Sequence, residues 1–241
     1  MPMSQLLGTE AIAPPDISHL VIEDDAPVDN FQSEKQQRLL VEPLYSSQVL
    51  PPPFIAAANV GVFFALKQDP IVPDAFLSLG VQMPVNWSQK QNRSYFVWEF
   101  GKVPEVAIEI VSNREGNELG SKKTTYARIG VSYYAVFDPL RQLQGKDEMN
   151  GELLRVWALT AGRYIELSQP FWLETIALGL TLWEGEFEGV AGLWQRWCDR
   201  EGEVVLTGKE RADAAEARAQ QLAERLRTMG VDPNEIPHSK T

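Results

Sequence analysis

The sequence predicts an α+β (mixed α/β) fold with a central mixed sheet and a separate C-terminal helix. Short runs rich in Val, Ile, Phe and Tyr, bounded by Gly, Pro, Asn and Asp, recur between residues 60 and 137 and carry the strand signature. A stretch with helical spacing, Asn117 to Ile129, separates two of these runs, and a strand, helix, strand order implies a crossover and a parallel pair. Beyond Pro139 the runs are joined by tight turns, the pattern of antiparallel strands.

Taken in order, residues 1–30 are rich in Pro and acids and poor in aromatics, a composition that buries too little surface to order itself, and they are expected to form a flexible acidic arm. A short amphipathic helix is expected from Ser33 to about Leu44, closed off by Pro51-Pro52-Pro53. Strands are expected at Val60 to Leu66, Asp74 to Leu79, Tyr95 to Glu99, Val106 to Ser112 and Tyr133 to Phe137. After the helix over 117–129 and Pro139 come Leu153 to Leu159, a turn at Ala161-Gly162, Arg163 to Leu167, and Leu178 to Trp183. This places one domain over 31–200 and a helical tail over 201–241. Within the tail, Thr207 followed by Glu210 fits a capping box, and Gly230 with Pro233 gives the stop signals. Ala212, Ala215, Ala219, Leu222, Leu226 and Met229 step 3, 4, 3, 4, 3, the spacing of a coiled-coil seam, so a homodimer through this helix stands beside simple packing on the domain.

Composition removes several classes of chemistry. The only histidines, His19 and His238, lie in the expected tails, so a Ser-His or Cys-His nucleophile and a histidine-ligated metal are disfavoured. There is no GxxxxGK(S/T) run and no GxGxxG opening a helix. One cysteine, Cys198, permits no internal disulfide and reads as a half-buried thiol in a reducing compartment. No apolar run is long enough to span a bilayer and no basic, apolar, cleavable leader is legible, so the expectation is a cytoplasmic protein without a membrane partner. The formal net charge of -11 argues against strong nucleic-acid binding, but its distribution softens the objection. Residues 1–30 hold six acids and no Lys or Arg, whereas residues 31–140 hold ten acids and ten bases.

Carboxylate and lysine chemistry remains, and three residues break the rules of their elements. Asp74 opens an apolar strand directly after Pro73, although a Pro-Asp pair also suits a turn. Glu109 sits inside VAIEIVS, where a carboxylate is costly unless paired or metal-bound; a structural ion pair is the bland alternative. Lys122 shares one helical face with Leu119, Tyr126 and Ile129, from which a lysine can also snorkel out to water. The three types suit one another. Two carboxylates offer hard oxygen ligands to Mg²⁺, with Mn²⁺ able to substitute, and the ion polarises a phosphodiester and activates an attacking water. A lysine supplies positive charge where negative charge builds. The chemistry that such a set can perform is hydrolysis of a phosphodiester bond. The competing readings are a non-catalytic protein associating through the 207–229 helix, and a small-ligand site in the aromatic-rich region from Trp157 to Trp197, where core packing is the simpler account.

The runs Val72-Pro73-Asp74, Val97-Trp98-Glu99, Pro104 to Ser112, Lys122 with Tyr126, Gly130-Val131 and Tyr133 to Pro139 resemble, in their order, the Uma-type restriction-endonuclease family of the PD-(D/E)xK nuclease superfamily. The resemblance covers roughly residues 30–185. It implies a restriction-endonuclease-like core, Asp74 and Glu109 as metal ligands and Lys122 as the catalytic lysine. In the common superfamily pattern the lysine falls two residues after the acid, and here that position is Val111, so the lysine has moved to the helix. Members often carry a His or Glu on the first helix facing the site, and Glu34 is the nearest candidate here.

Overall fold

The computed structural model describes residue 16 and residues 30–114 and 117–233. The expected acidic arm therefore lies outside the described residues, apart from Asp16 and Asn30. Helix α1 spans Phe31–Ser46, started by Asn30, whose side chain accepts from the Gln32 and Ser33 amides at 2.9 and 3.0 Å. It runs three residues past Pro43 to Ser46, beyond the expected end near Leu44. Its Leu39, Leu40 and Leu44 are buried.

Six strands make the main sheet: β1 Phe54–Ala57, β3 Ala75–Leu79, β5 Val106–Ile110, β6 Tyr133–Phe137, β7 Leu154–Thr160 and β8 Arg163–Glu166, hydrogen-bonded in that order. Only β5 and β6 run parallel. Both are buried along their whole length, which is why their sequences read as continuous apolar runs. On one face, Val106, Ile108 and Ile110 of β5 pack with Leu40 and Leu44 of α1 and with a second sheet. That sheet has the order β11 (Val190–Cys198), β10 (Leu178–Phe187), β9 (Phe171–Leu173). A side-chain carbon at Gly179 in β10 would lie 2.7 Å from Cys198 Sγ and 3.1 Å from the Phe171 carbonyl oxygen, so glycine lets the three strands close up. On the opposite face, Ala107 and Val111 pack with Tyr126 of α3 (Lys123–Ile129) and with the short parallel pair β2 (Val62–Phe63) and β4 (Tyr95–Phe96).

Several expected elements differ. The run Val60 to Leu66 forms only the two-residue β2. The run Tyr95 to Glu99 is a strand for two residues and then the helical turn α2, Val97–Phe100, which ends at Gly101 with φ +73°. The helix expected from Asn117 is broken: Glu118–Lys122 form a wide π-type turn, Gly120 has non-helical torsions, and the regular helix begins at Lys123. Strands β1, β9 and β11 were not expected. Trp157, Trp194 and Trp197 are buried, so the aromatic-rich stretch is largely core. Cys198 is buried rather than half-buried, and burial pushes its thiol up to about 11.

Helix α4, Gly208–Thr228, carries the expected capping box at Thr207 and Glu210, yet none of its residues is buried. No helix of the described residues is long and apolar enough to cross a membrane.

Candidate active site

Strand register brings the two carboxylates together. β3 pairs antiparallel with β5 through Ala75 opposite Ile108, and one step further places Asp74 opposite Glu109. Alternation along each strand sends both side chains to the face that carries α3. The Asp74 carboxylate reaches across the gap, where its Oδ2 accepts from the Ile110 amide at 2.6 Å. Glu109 is fully buried, and each of its oxygens accepts one hydrogen bond: Oε2 from Lys122 Nζ at 2.7 Å and Oε1 from the Tyr126 hydroxyl at 2.7 Å.

The break before α3 explains how a lysine far from the usual position reaches the acid. Lys122 closes the wide turn and caps α3, and Tyr126 follows four residues later on the same side. The Lys122 side chain remains 32% exposed while holding the fully buried Glu109, so the pair sits at the rim of the interior. Asp74, Glu109 and Lys122 are thus brought into one cluster. Glu34 is not: it is exposed and pairs with Arg38, which also bonds Glu188. The α1 residue that meets the cluster is Gln37, whose Nε2 donates to Asp74 Oδ1 at 3.2 Å while its Oε1 accepts from Asn59 Nδ2 at 3.0 Å. A signal for Gln37 lay in helical phase. Counting back four and then three residues from Leu44 gives Leu40 and Gln37 on one buried stripe, with Glu34 and Arg38 on the outer face.

The electrostatics single out Glu109. Burial pushes its carboxyl up to about 8; Lys122 opposes the shift, Asp74 adds to it, and the Lys122 and Tyr126 hydrogen bonds oppose it. Burial by itself would lower Lys122, but the Glu109 carboxylate outweighs that and holds the ammonium above its ordinary value. Burial also drives Tyr126 well above the ordinary tyrosine range, with Glu109 adding to it, so the phenol is a fixed donor. A structural ion pair would be satisfied by Lys122 and Tyr126 alone. Placing Asp74 opposite the same carboxylate works against ionisation, the type of cost met at functional sites.

Two facing carboxylates could serve as oxygen donors to a hard divalent cation. Among the described residues, no group of three or more His, Cys, Asp or Glu side chains is placed to hold a metal. A two-carboxylate donor set suits Mg²⁺, which keeps several waters and takes oxygens from its substrate. Glu118, also unforeseen, is buried beside this turn, its Oε2 without a hydrogen-bond partner, and it too favours the charged form of Lys122.

The profile of the Uma2 family, described as "Putative restriction endonuclease", matches residues 21–179. The chain belongs to this family. The matched span takes in α1, the main sheet and all of Asp74, Glu109, Lys122 and Gln37, and leaves out β11 and α4. No curated protein matches the chain. Among solved structures, a crystal structure of a putative nuclease belonging to DUF820 from Anabaena variabilis ATCC 29413 is similar at 14% identity. It covers 60% of this chain and 71% of its own, with a TM-score of 0.41. The Uma2 assignment makes a restriction-endonuclease-like nuclease the family-level description of the chain.

Proposed function

We propose that this Uma2 protein is a metal-dependent endonuclease that hydrolyses DNA phosphodiester bonds, with Asp74 and Glu109 holding Mg²⁺, or Mn²⁺ in its place, and Lys122 as the catalytic lysine. The observation that carries the reading is the opposition of Asp74 and Glu109 across β3 and β5 with the Lys122 ammonium 2.7 Å from Glu109. A bound divalent ion supplies Lewis-acid polarisation of the phosphoryl group and lowers the pKa of the attacking water. The chain supplies the rest. Gln37 and the Ile110 amide each hold one oxygen of Asp74, fixing its rotamer. Tyr126 holds Glu109 from the interior side, and Lys122 offers positive charge to the phosphate oxygens as the transition state becomes more negative. A reducing, cytoplasmic setting accords with the single buried thiol.

The test is calorimetric titration of Mg²⁺ and Mn²⁺ into the wild-type chain and Glu109→Ala, with both proteins then incubated with supercoiled plasmid. Heat of binding and nicking should both vanish in the variant, and also in Glu109→Gln, which keeps the side-chain volume and an acceptor oxygen for Tyr126 and should melt close to the wild type. Asp74→Asn, nearly isosteric, should behave alike. A large loss of stability with cleavage retained would refute the assignment.

The second reading is a non-catalytic interaction protein on the same fold, and the observation in its favour is α4, a 21-residue helix with no buried residue. Absence of metal binding anywhere, with an oligomer that disappears on removal of residues 207–241, would select it.

A further inference from the structure

Helix α4 has a defined root and an open face. At its base, Glu210 takes two hydrogen bonds from the Arg196 guanidinium, at 3.1 and 2.8 Å, and Gly208 donates to Glu42 of α1. In the heptad frame that puts Ala212, Ala219 and Leu226 at a, and Ala215, Leu222 and Met229 at d, Glu210 occupies f. The f position lies opposite the a/d seam. The root contact therefore aims the seam away from the body, and Leu222 and Met229 are left 54% and 70% exposed. A solitary helix of this length gains most of its stability from packing, and here that packing is missing on the apolar side.

The charges beside the seam select the partner and its direction. Every g position is arginine, Arg211, Arg218 and Arg225, and none of these guanidinium groups has an ion pair among the described residues. Position e is Lys209, which pairs with Asp213 of its own helix, then Glu216 and Ala223. An antiparallel pair of identical helices that matches the whole seam would set Ala212 against Met229, Ala215 against Leu226 and Ala219 against Leu222, and would bring g against g as Arg218 against Arg225, twice by symmetry. A parallel pair instead brings g against the next e, which gives Arg211 to Glu216 twice by symmetry and no like-charge contact. Three of the six seam residues are alanines, which allows the two helix axes to approach closely.

We propose that α4 joins two copies of this chain as a parallel two-stranded coiled coil, in register, with Arg211 of each copy paired to Glu216 of the other. The occupant of the seam is a second copy because the seam and its flanks are complementary to themselves in one orientation alone. The pairing does not depend on the nuclease reading.

The test is light scattering behind size exclusion, together with sedimentation over a concentration series, on the full chain. The wild type should move toward the mass of two chains as concentration rises, and Leu222→Glu with Leu226→Glu should stay monomeric at an unchanged circular dichroism fold signature. Arg211→Glu and Glu216→Arg, each placing like charges across the dimer, should weaken it roughly tenfold, and the two together should restore it. A wild type that remains monomeric throughout, or a mass of three chains, overturns the proposal. So does a tighter dimer in Arg218→Glu, because that outcome requires the antiparallel arrangement, where the new glutamate meets Arg225, whereas in the parallel pair it faces Ala223.

Discussion

A carboxyl that burial raises to about 8 binds its proton more tightly in the folded chain than in the unfolded one, where a glutamate titrates near about 4.3. The stability it confers is therefore full below the unfolded value and is lost as pH rises through the folded value. In EDTA, the melting temperature should fall by several degrees between about pH 5 and about pH 8, and Glu109→Gln should flatten that slope. Mg²⁺ should recover most at the alkaline end, where the carboxylate pair is fully charged. A metal-free profile identical in wild type and variant would show that Glu109 does not titrate there. A second test at the same scale separates the two α1 candidates. Gln37→Ala should weaken Mg²⁺ binding by roughly tenfold or more, as loss of a ligand-orienting hydrogen bond does, and Glu34→Ala should leave it unchanged. Asp74, Glu109 and Lys122 were legible in the sequence because each offends a local rule, an acid in an apolar strand or a lysine on a core stripe. Gln37 offends none: helical phase puts it on the buried stripe of α1, and its hydrogen bond to Asp74 comes from the packing of α1 over β3. Glu118 was hidden for another reason, since the break at Gly120 that buries it is not written in any periodicity.

At the scale of elements, the strand, turn, helix and strand from Val106 to Phe137 make one unit, since β5 carries Glu109, α3 carries Tyr126, and β6 clamps β5 in parallel. Gly130 ends α3 with φ +95°, where an added side chain is strained. Gly130→Ala should cost about 1 kcal/mol, a fall of about 2–4 °C in melting temperature for a chain of this size, readable by differential scanning calorimetry. An unchanged transition would mean that the turn from α3 into β6 is slack. The strands of this unit were foreseen to within two residues, because they are buried on both faces and advertise themselves as apolar runs, whereas its regular helix begins at Lys123 and not at the expected Asn117. The second sheet was half foreseen. β10 has an apolar first half, but β11 opens with the exposed Val190 and Ala191 and becomes a strand by pairing residue for residue with β10, a tertiary cause with no local signature. The turn at Val97–Phe100 failed differently: its Val and Trp favour a strand, and the left-handed Gly101 that ends it carries the overriding instruction.

For the whole molecule, orientation of the α4 pair decides where two active sites stand. An antiparallel pair would set the two bodies at opposite ends of a helix about 31 Å long, whereas a parallel pair roots both at the same end. Two sites at one end can meet the two strands of one duplex within a single encounter. The net charge of -11 makes this matter, because a chain with little electrostatic hold on DNA gains from a second attachment within the same complex. The expected outcome is a change of product rather than of chemistry. At concentrations where the wild type is dimeric, supercoiled plasmid should pass to the linear form with little nicked circle accumulating. The Leu222→Glu with Leu226→Glu chain, its Asp74, Glu109 and Lys122 untouched, should stop largely at the nicked circle with the same Mg²⁺ affinity. Gel resolution of the three plasmid forms over time separates the cases. Linear product from the monomeric variant at the wild-type rate would mean that each body cuts both strands unaided and that α4 serves some purpose other than pairing the sites.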